Sequence, residues 1–128
     1  MALNRGRDAS GVQRVSEASI ERMTSLLPSG TSSFGYGLIS EQRVNLYTRD
    51  SRNNLVAVDA NLWHNGSHGG QTRTHMCGNP QRRQGIVITL NADVTSTRLG
   101  SSVNESRELI EYILDQFTST LGFPGNCR

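Results

Sequence analysis

The stretch GIVITLNADVTSTRLGSSVNESRELIEYILDQF, residues 85–117, changes hydrophobic period halfway along, and that change decides the fold class. From Ile86 to Val94 the apolar side chains alternate: Ile86, Ile88, Leu90, Ala92 and Val94 share one face, and Val87, Thr89, Asn91 and Asp93 the other. A period of two is that of a half-buried strand. After a polar connection, Leu109, Ile110, Ile113, Leu114 and Phe117 fall at helical spacing. Ser102 and Glu105 have the spacing of a capping box, and Gly122 followed by Pro124 gives a stop, so a helix is expected over about Val103 to Thr120. A strand with one apolar face followed by a helix with one apolar stripe is economically buried as helix on sheet.

Working outward, Arg43-Val44-Asn45-Leu46-Tyr47-Thr48-Arg49 alternates, with Val44 and Leu46 on the apolar side. Asp50-Ser51-Arg52-Asn53-Asn54 is a polar turn. Leu55 to His64 alternates again, with Val56, Val58, Ala60 and Leu62 on one face and Ala57, Asp59, Asn61 and Trp63 on the other. These two runs are expected to form a hairpin, and Asn65 to Gly85 a long Gly- and Arg-rich loop. Before residue 40 the reading is open: one or two short strands, or a helix over Ser16 to Leu27, then a turn at Pro28-Ser29-Gly30 and a strand over Phe34 to Ile39. The expected class is α+β, one antiparallel sheet with the C-terminal helix on one face, and residues 1–128 form a single domain.

The opposite sheet face would then carry Arg43, Asn45, Tyr47 and Arg49 beside Asp59, Asn61 and Trp63, with Thr89 and Asn91 on the third strand. Arginine meets phosphate, an aromatic ring offers a plane to an unpaired base, and Asn and Thr can bond base edges. An ordinary solvated sheet face accounts for the same residues. Asp59 argues against phosphate at its own position, and either pairs with an arginine or accepts from a base.

Composition adds constraints. Residues AVILMFWYC make up 34% of the 128 residues, with one Trp, three Tyr and three Phe, so the core is thin and burial against a second copy is expected. All 13 basic residues are arginine, against 11 acids, for a net charge of +2. Arg73, Arg82 and Arg83 lie in an acid-free segment from Gln71 to Gln84, while four acids gather between Glu105 and Asp115. A guanidinium fork matches phosphate, although solubility alone would also explain these charges. There is no long apolar run and no apolar stretch near the N-terminus, so no membrane span or leader is expected, and synthesis in the cytosol is. Cys77 and Cys127 are too few for a disulfide framework; they either stay as thiols or cross-link subunits in an oxidising medium. His64, His68, His75 and Cys77 match no strong zinc spacing, and no hydrolase, P-loop or metalloprotease motif occurs. Neither cofactor, metal nor enzymatic activity is expected.

In order and length, these elements resemble the coat proteins of single-stranded RNA bacteriophages. The likeness is carried by VNLYTRDSRNNLVAVDANLWHN for the central strands, by Cys77-Gly78-Asn79-Pro80-Gln81-Arg82-Arg83 for the loop, by GIVITLNADV for the last strand, and by TSTRLGSSVNESRELIEYILDQFTST for the polar connection and helix. It covers about two thirds of the chain and is one of pattern and order. It implies an interlocked homodimer with a continuous antiparallel sheet, assembling into an icosahedral capsid in the bacterial cytoplasm and residing in the virion. It also implies binding of a genomic RNA hairpin on the inner face, by position through Asn45, Tyr47, Arg49, Asn61, Trp63, Thr89 and Asn91. Cys77, by the same likeness, is an inter-subunit disulfide candidate. A small bacterial protein-binding module, such as an inhibitor or immunity protein, is the alternative reading.

Overall fold

The stretch expected to be a long loop is the centre of the fold. In the structure, a computed structural model that describes residues 5–27 and 37–128, it forms most of the longest hairpin. The elements run α1 (Glu17–Thr24), β1 (Ile39–Ser40), β2 (Tyr47–Arg49), β3 (Leu55–Ala57), β4 (Leu62–His68), β5 (Thr72–Asn79), β6 (Gln84–Leu90), β7 (Thr95–Arg98), β8 (Ser101–Asn104) and α2 (Glu105–Leu121). The turn expected at Pro28-Ser29-Gly30, and residues 34–36 of the strand expected before Ile39, lie outside the described residues. Of the two readings for Ser16 to Leu27, the helix forms: Ser16 caps α1 by accepting from the Ser19 N–H.

Four strands make one antiparallel sheet in the order β1-β4-β5-β6. The loop expectation for 65–85 fails because β5 shows little hydrophobic alternation. One side carries the polar Arg73 and His75 before Cys77, while Met76 packs into the core on the other side, so apolar and polar residues do not alternate. The connection shrinks to Gly69, Gly70 and Gln71, with both glycines left-handed.

The expected continuous strand from Leu55 to His64 divides at residues 58–61, and its two halves enter different sheets. The hairpin β2–β3 is separate, with Tyr47 opposite Ala57 and Arg49 opposite Leu55. Val44 lies outside any strand: the Ser40 hydroxyl donates to its carbonyl and accepts from its N–H, tying residues 40–44 into a turn. Leu46 and Tyr47, neighbours in sequence, are therefore both buried where alternation would bury one.

Alternation along the four-stranded sheet sends its two faces to different cores. Leu62 and Met76 pack with Ile20, Leu46, Tyr47, Leu55 and Ala60, under α1 and the β2–β3 hairpin. Their chain neighbours Trp63 and Cys77 pack with Ile88, Ile110, Leu114 and Cys127, under α2. The chain is thus α+β with helix on sheet as expected, but with the small hairpin layer on the face expected to be open. Full burial of Ile110 and Leu114 contributes about 2 kcal/mol each.

The polar connection after β6 forms a second small hairpin, β7–β8, turned by Leu99 (φ 49°) and Gly100 (φ 79°). Positive φ at both turn positions matches the twist of the flanking strands. Because β8 runs into the helix, the N-cap is Asn104, two residues after the expected Ser102, and its Oδ1 accepts from the Arg107 N–H at 2.7 Å. Glu105 bonds Ser96 and Arg98 instead of reaching back as a capping box would. Gly122, left-handed at φ 63°, ends α2. Leu109, expected on the apolar stripe, is 48% exposed, because the buried line runs through Ser106, Ile110, Leu114 and Thr118.

Candidate nucleic-acid interface

The eight residues singled out for RNA do not share a face, because the break at residues 58–61 stops the parity of 43–49 from continuing into the sheet. Arg43 is exposed in the turn before β2, with φ 56°. The Asn45 side-chain oxygen accepts from the Leu26 N–H at 2.9 Å. Tyr47 is 3% exposed, and burial raises its hydroxyl above the ordinary range. Arg49 pairs with Glu21 at 2.8 Å and Glu17 at 3.5 Å, tying β2 to α1. Asn61 is fully buried, its amide donating to Glu41 at 2.8 Å and its oxygen accepting from Asn79 at 3.1 Å. Trp63 faces α2 and stacks on His75 with ring centroids 5.4 Å apart and planes within 2°.

Thr89 and Asn91 are exposed, and Thr89 lies on the sheet face away from α2. The register defines its neighbours: Thr89, Thr74 and Gly66 form one row, Val87, Met76 and His64 the next, and Thr72 pairs with His68. Residues opposite one another in an antiparallel ladder project to the same side. This end of the face bears hydroxyls, imidazoles and a glycine, no acid, and a Val87 that is 68% exposed. Sequence reading missed His64, His68, Thr72 and Thr74 as face residues because it had placed most of them in a loop.

Cys77, the candidate inter-subunit thiol, is not presented to a second subunit: it is joined to Cys127 of its own chain, with the Cα atoms 5.6 Å apart and both residues buried. After α2 the tail returns beneath β5, where Glu41 accepts from the Asn126 and Cys127 N–H groups, each at 2.9 Å. Gly125 permits that approach, since a Cβ there would lie 2.5–2.7 Å from the Glu41 carboxylate. His75 Nε2 lies 2.8 Å from the Cys127 carbonyl, and burial holds the imidazole below its ordinary pKa, so it is neutral and donates. Arg128 then pairs with Glu111 and Asp115 on α2.

The acid-free arginine segment is also resolved. Arg73 pairs with Asp93 at 2.9 Å. Arg82 bonds Asp59 through two nitrogens at 2.9 and 2.8 Å, so Asp59 takes an arginine partner, and both Asp59 and Asp93 are held below the usual carboxylate range. Arg82 also donates to the Leu121 carbonyl, binding the β5–β6 turn to the end of α2. Arg83 alone of the three has no carboxylate partner among the described residues.

Among the described residues there is no group of three or more His, Cys, Asp or Glu side chains placed to hold a metal ion, and no helix is long and apolar enough to cross a membrane. Comparison with family models, with curated proteins and with solved structures finds no match to this chain.

Proposed function

We propose that this chain is a non-enzymatic coat subunit of a single-stranded RNA phage, which dimerises, assembles into a closed shell and binds genomic RNA on an inner sheet face. The observation that carries the reading is β6. It is the last strand of its sheet, seven residues long, and pairs on only one side among the described residues. Its sequence, Gln84-Gly85-Ile86-Val87-Ile88-Thr89-Leu90, has no charge and no proline, the devices by which soluble proteins blunt such an edge. Two copies paired antiparallel through β6 would give one eight-stranded sheet and satisfy the free backbone groups of both. The thin core and the exposed Val87 and Leu99 are consistent with burial against other copies.

In this proposal the RNA face is the surface around His64, Thr74, Thr89 and Asn91. The resemblance implies helices exchanged between subunits, whereas α2 already spends its apolar stripe on its own sheet and is held there by the tail disulfide. The proposed dimer is therefore side by side through β6. The alternative, a self-contained protein-binding module, is favoured by that same disulfide, since such bonds persist chiefly in oxidising compartments.

The test is size-exclusion chromatography of the expressed protein, with absorbance at 260 and 280 nm and negative-stain microscopy of any large species. The coat reading expects uniform, nuclease-resistant particles containing RNA, and expects Val87→Glu to stop assembly while leaving a folded protomer. A monomer free of nucleic acid at every concentration would overturn it in favour of the binding module.

A further inference from the structure

More than half of the arginines are ion-paired to carboxylates, from Arg14 with Asp8 to Arg128 with Asp115. Arg5 and Arg83 are not, among the described residues, yet they lie 78 positions apart in sequence and line the same cleft. The cleft, about 160 Å³, is completed by Tyr47, Val56, Ala57, Pro80 and Gln81, where the β2–β3 hairpin meets the turn between β5 and β6. Both arginines reach it from a left-handed backbone, at φ 53° for Arg5 and 55° for Arg83. That conformation is unfavourable for a residue with a Cβ and persists only where surrounding bonds impose it.

Those bonds are present. Gln13 donates through Nε2 to the Arg5 carbonyl at 2.7 Å, while the Gly6 carbonyl accepts from the Arg14 and Val15 N–H groups. A backbone hydrogen bond links Arg5 to the Tyr47 hydroxyl, whose protonation also feels the charges of Arg5 and Arg83. On the other wall, Asn79 accepts from the Arg82 N–H and the Pro80 carbonyl from that of Arg83, closing the tight turn that presents Arg83. Two arginines are thus held by their backbones at one concavity whose lining has apolar walls and no carboxylate; Asp50, outside that lining, feels the charge of Arg5.

We propose that Arg5 and Arg83 form a site for a phosphate group. A guanidinium presents paired donors to phosphate oxygens, and two of them suit a tetrahedral oxyanion with more oxygens than one fork engages. Val56, Ala57 and Pro80 reduce the competing solvation, and the Gln81 amide adds a donor. Pockets enclosing a whole drug-sized ligand run to about 300–1,000 Å³, so this one takes a group rather than a molecule. The group comes either from free phosphate or from the backbone of a single-stranded RNA. The site stands independently of the coat reading.

The test is a titration of ¹⁵N-labelled protein at low salt, first with inorganic phosphate and then with an oligouridylate lacking terminal phosphates, following amide shifts. Arg5→Asn and Arg83→Asn are the variants, because Asn tolerates the left-handed backbone; Arg52→Asn, in the β2–β3 turn, is a charge-matched control. Shifts centred on Arg5, Val56, Ala57 and Gln81 to Arg83 are expected, with affinity falling at least about tenfold in each cleft variant and unchanged in the control, as for loss of a charge-assisted contact. Response to inorganic phosphate alone supports the site as one for the free anion. Tighter binding of the oligonucleotide, with a salt dependence reduced by about one unit per arginine removed, supports a phosphodiester. Absence of shifts there with both probes, or equal losses in all three variants, would overturn the proposal.

Discussion

The two faces of the four-stranded sheet are built on opposite principles. On the α2 face nearly every polar group has a partner: the disulfide, the Glu41 carboxylate under two tail amides, His75 on the Cys127 carbonyl and Arg128 on α2 all hold the same few residues. Beyond the β2–β3 hairpin the other face exposes His64, His68, Thr72, Thr89 and Val87, and the cleft beside the hairpin holds two arginines without acids. Compensated charge closes a structure, and charge or edge left uncompensated is where a partner can act. Stability is therefore expected to reside on one face and recognition on the other.

That division breaks most visibly at the disulfide. Replacing both Cys77 and Cys127 by Ala opens a cross-link between residues 50 apart, and should cost about 4 kcal/mol by the loop-entropy argument, read from urea unfolding without reductant. A loss under about 1 kcal/mol would mean the tail is not clamped as described. Glu41→Ala comes next, leaving the Asn126 and Cys127 amides and the Asn61 side chain without their acceptor; a loss of about 2 kcal/mol is expected.

His75 sharpens the comparison through pH. Its folded pKa lies below the ordinary 6.5, so the unfolded chain takes up the proton first as pH falls. Its contribution is full above about 6.5 and is lost as pH drops below that value toward the folded pKa. The urea midpoint should therefore decline between about pH 7 and pH 5, and His75→Asn should flatten that decline. Trp63, stacked on the ring, supplies the fluorescence signal. The smallest effects belong to the open face: Thr89→Ala and Asn91→Ala should change stability by no more than about 0.5 kcal/mol while weakening RNA hairpin binding. If they destabilise as Glu41→Ala does, the two faces are not different in kind.

The sequence was legible where one physical demand dominated. The strand expected over Ile86 to Val94 was found as far as Leu90, beyond which Val94 is exposed, and the helix after it was found because it too buries one regular stripe. β5 was missed because its buried side carries a histidine whose ring bonds a carbonyl 52 residues later and a cysteine in a disulfide, neither visible as local pattern. Asn61 and Trp63 were assigned outward because alternation was carried through residues 58–61, where the chain changes sheet, and Tyr47 because alternation was read across Val44, which lies in a turn. Nothing local marks that change. Arg5 could not be found from sequence, since its significance rests on a cleft shared with Arg83. Arg83 did carry a signal, the acid-free segment, but the same signal covered Arg73 and Arg82, which the fold pairs with Asp93 and Asp59.

Hydrogen exchange read by mass spectrometry, on dilute protein and on its concentrated or assembled fraction, tests the central contrast most directly. Slow exchange is predicted in β5 and α2 in both samples, while the half of the β6 amides that point away from β5 are fast in the dilute protomer and protected on assembly. Outward-pointing β6 amides equally protected at every concentration, or still fast in the assembled fraction, would contradict it.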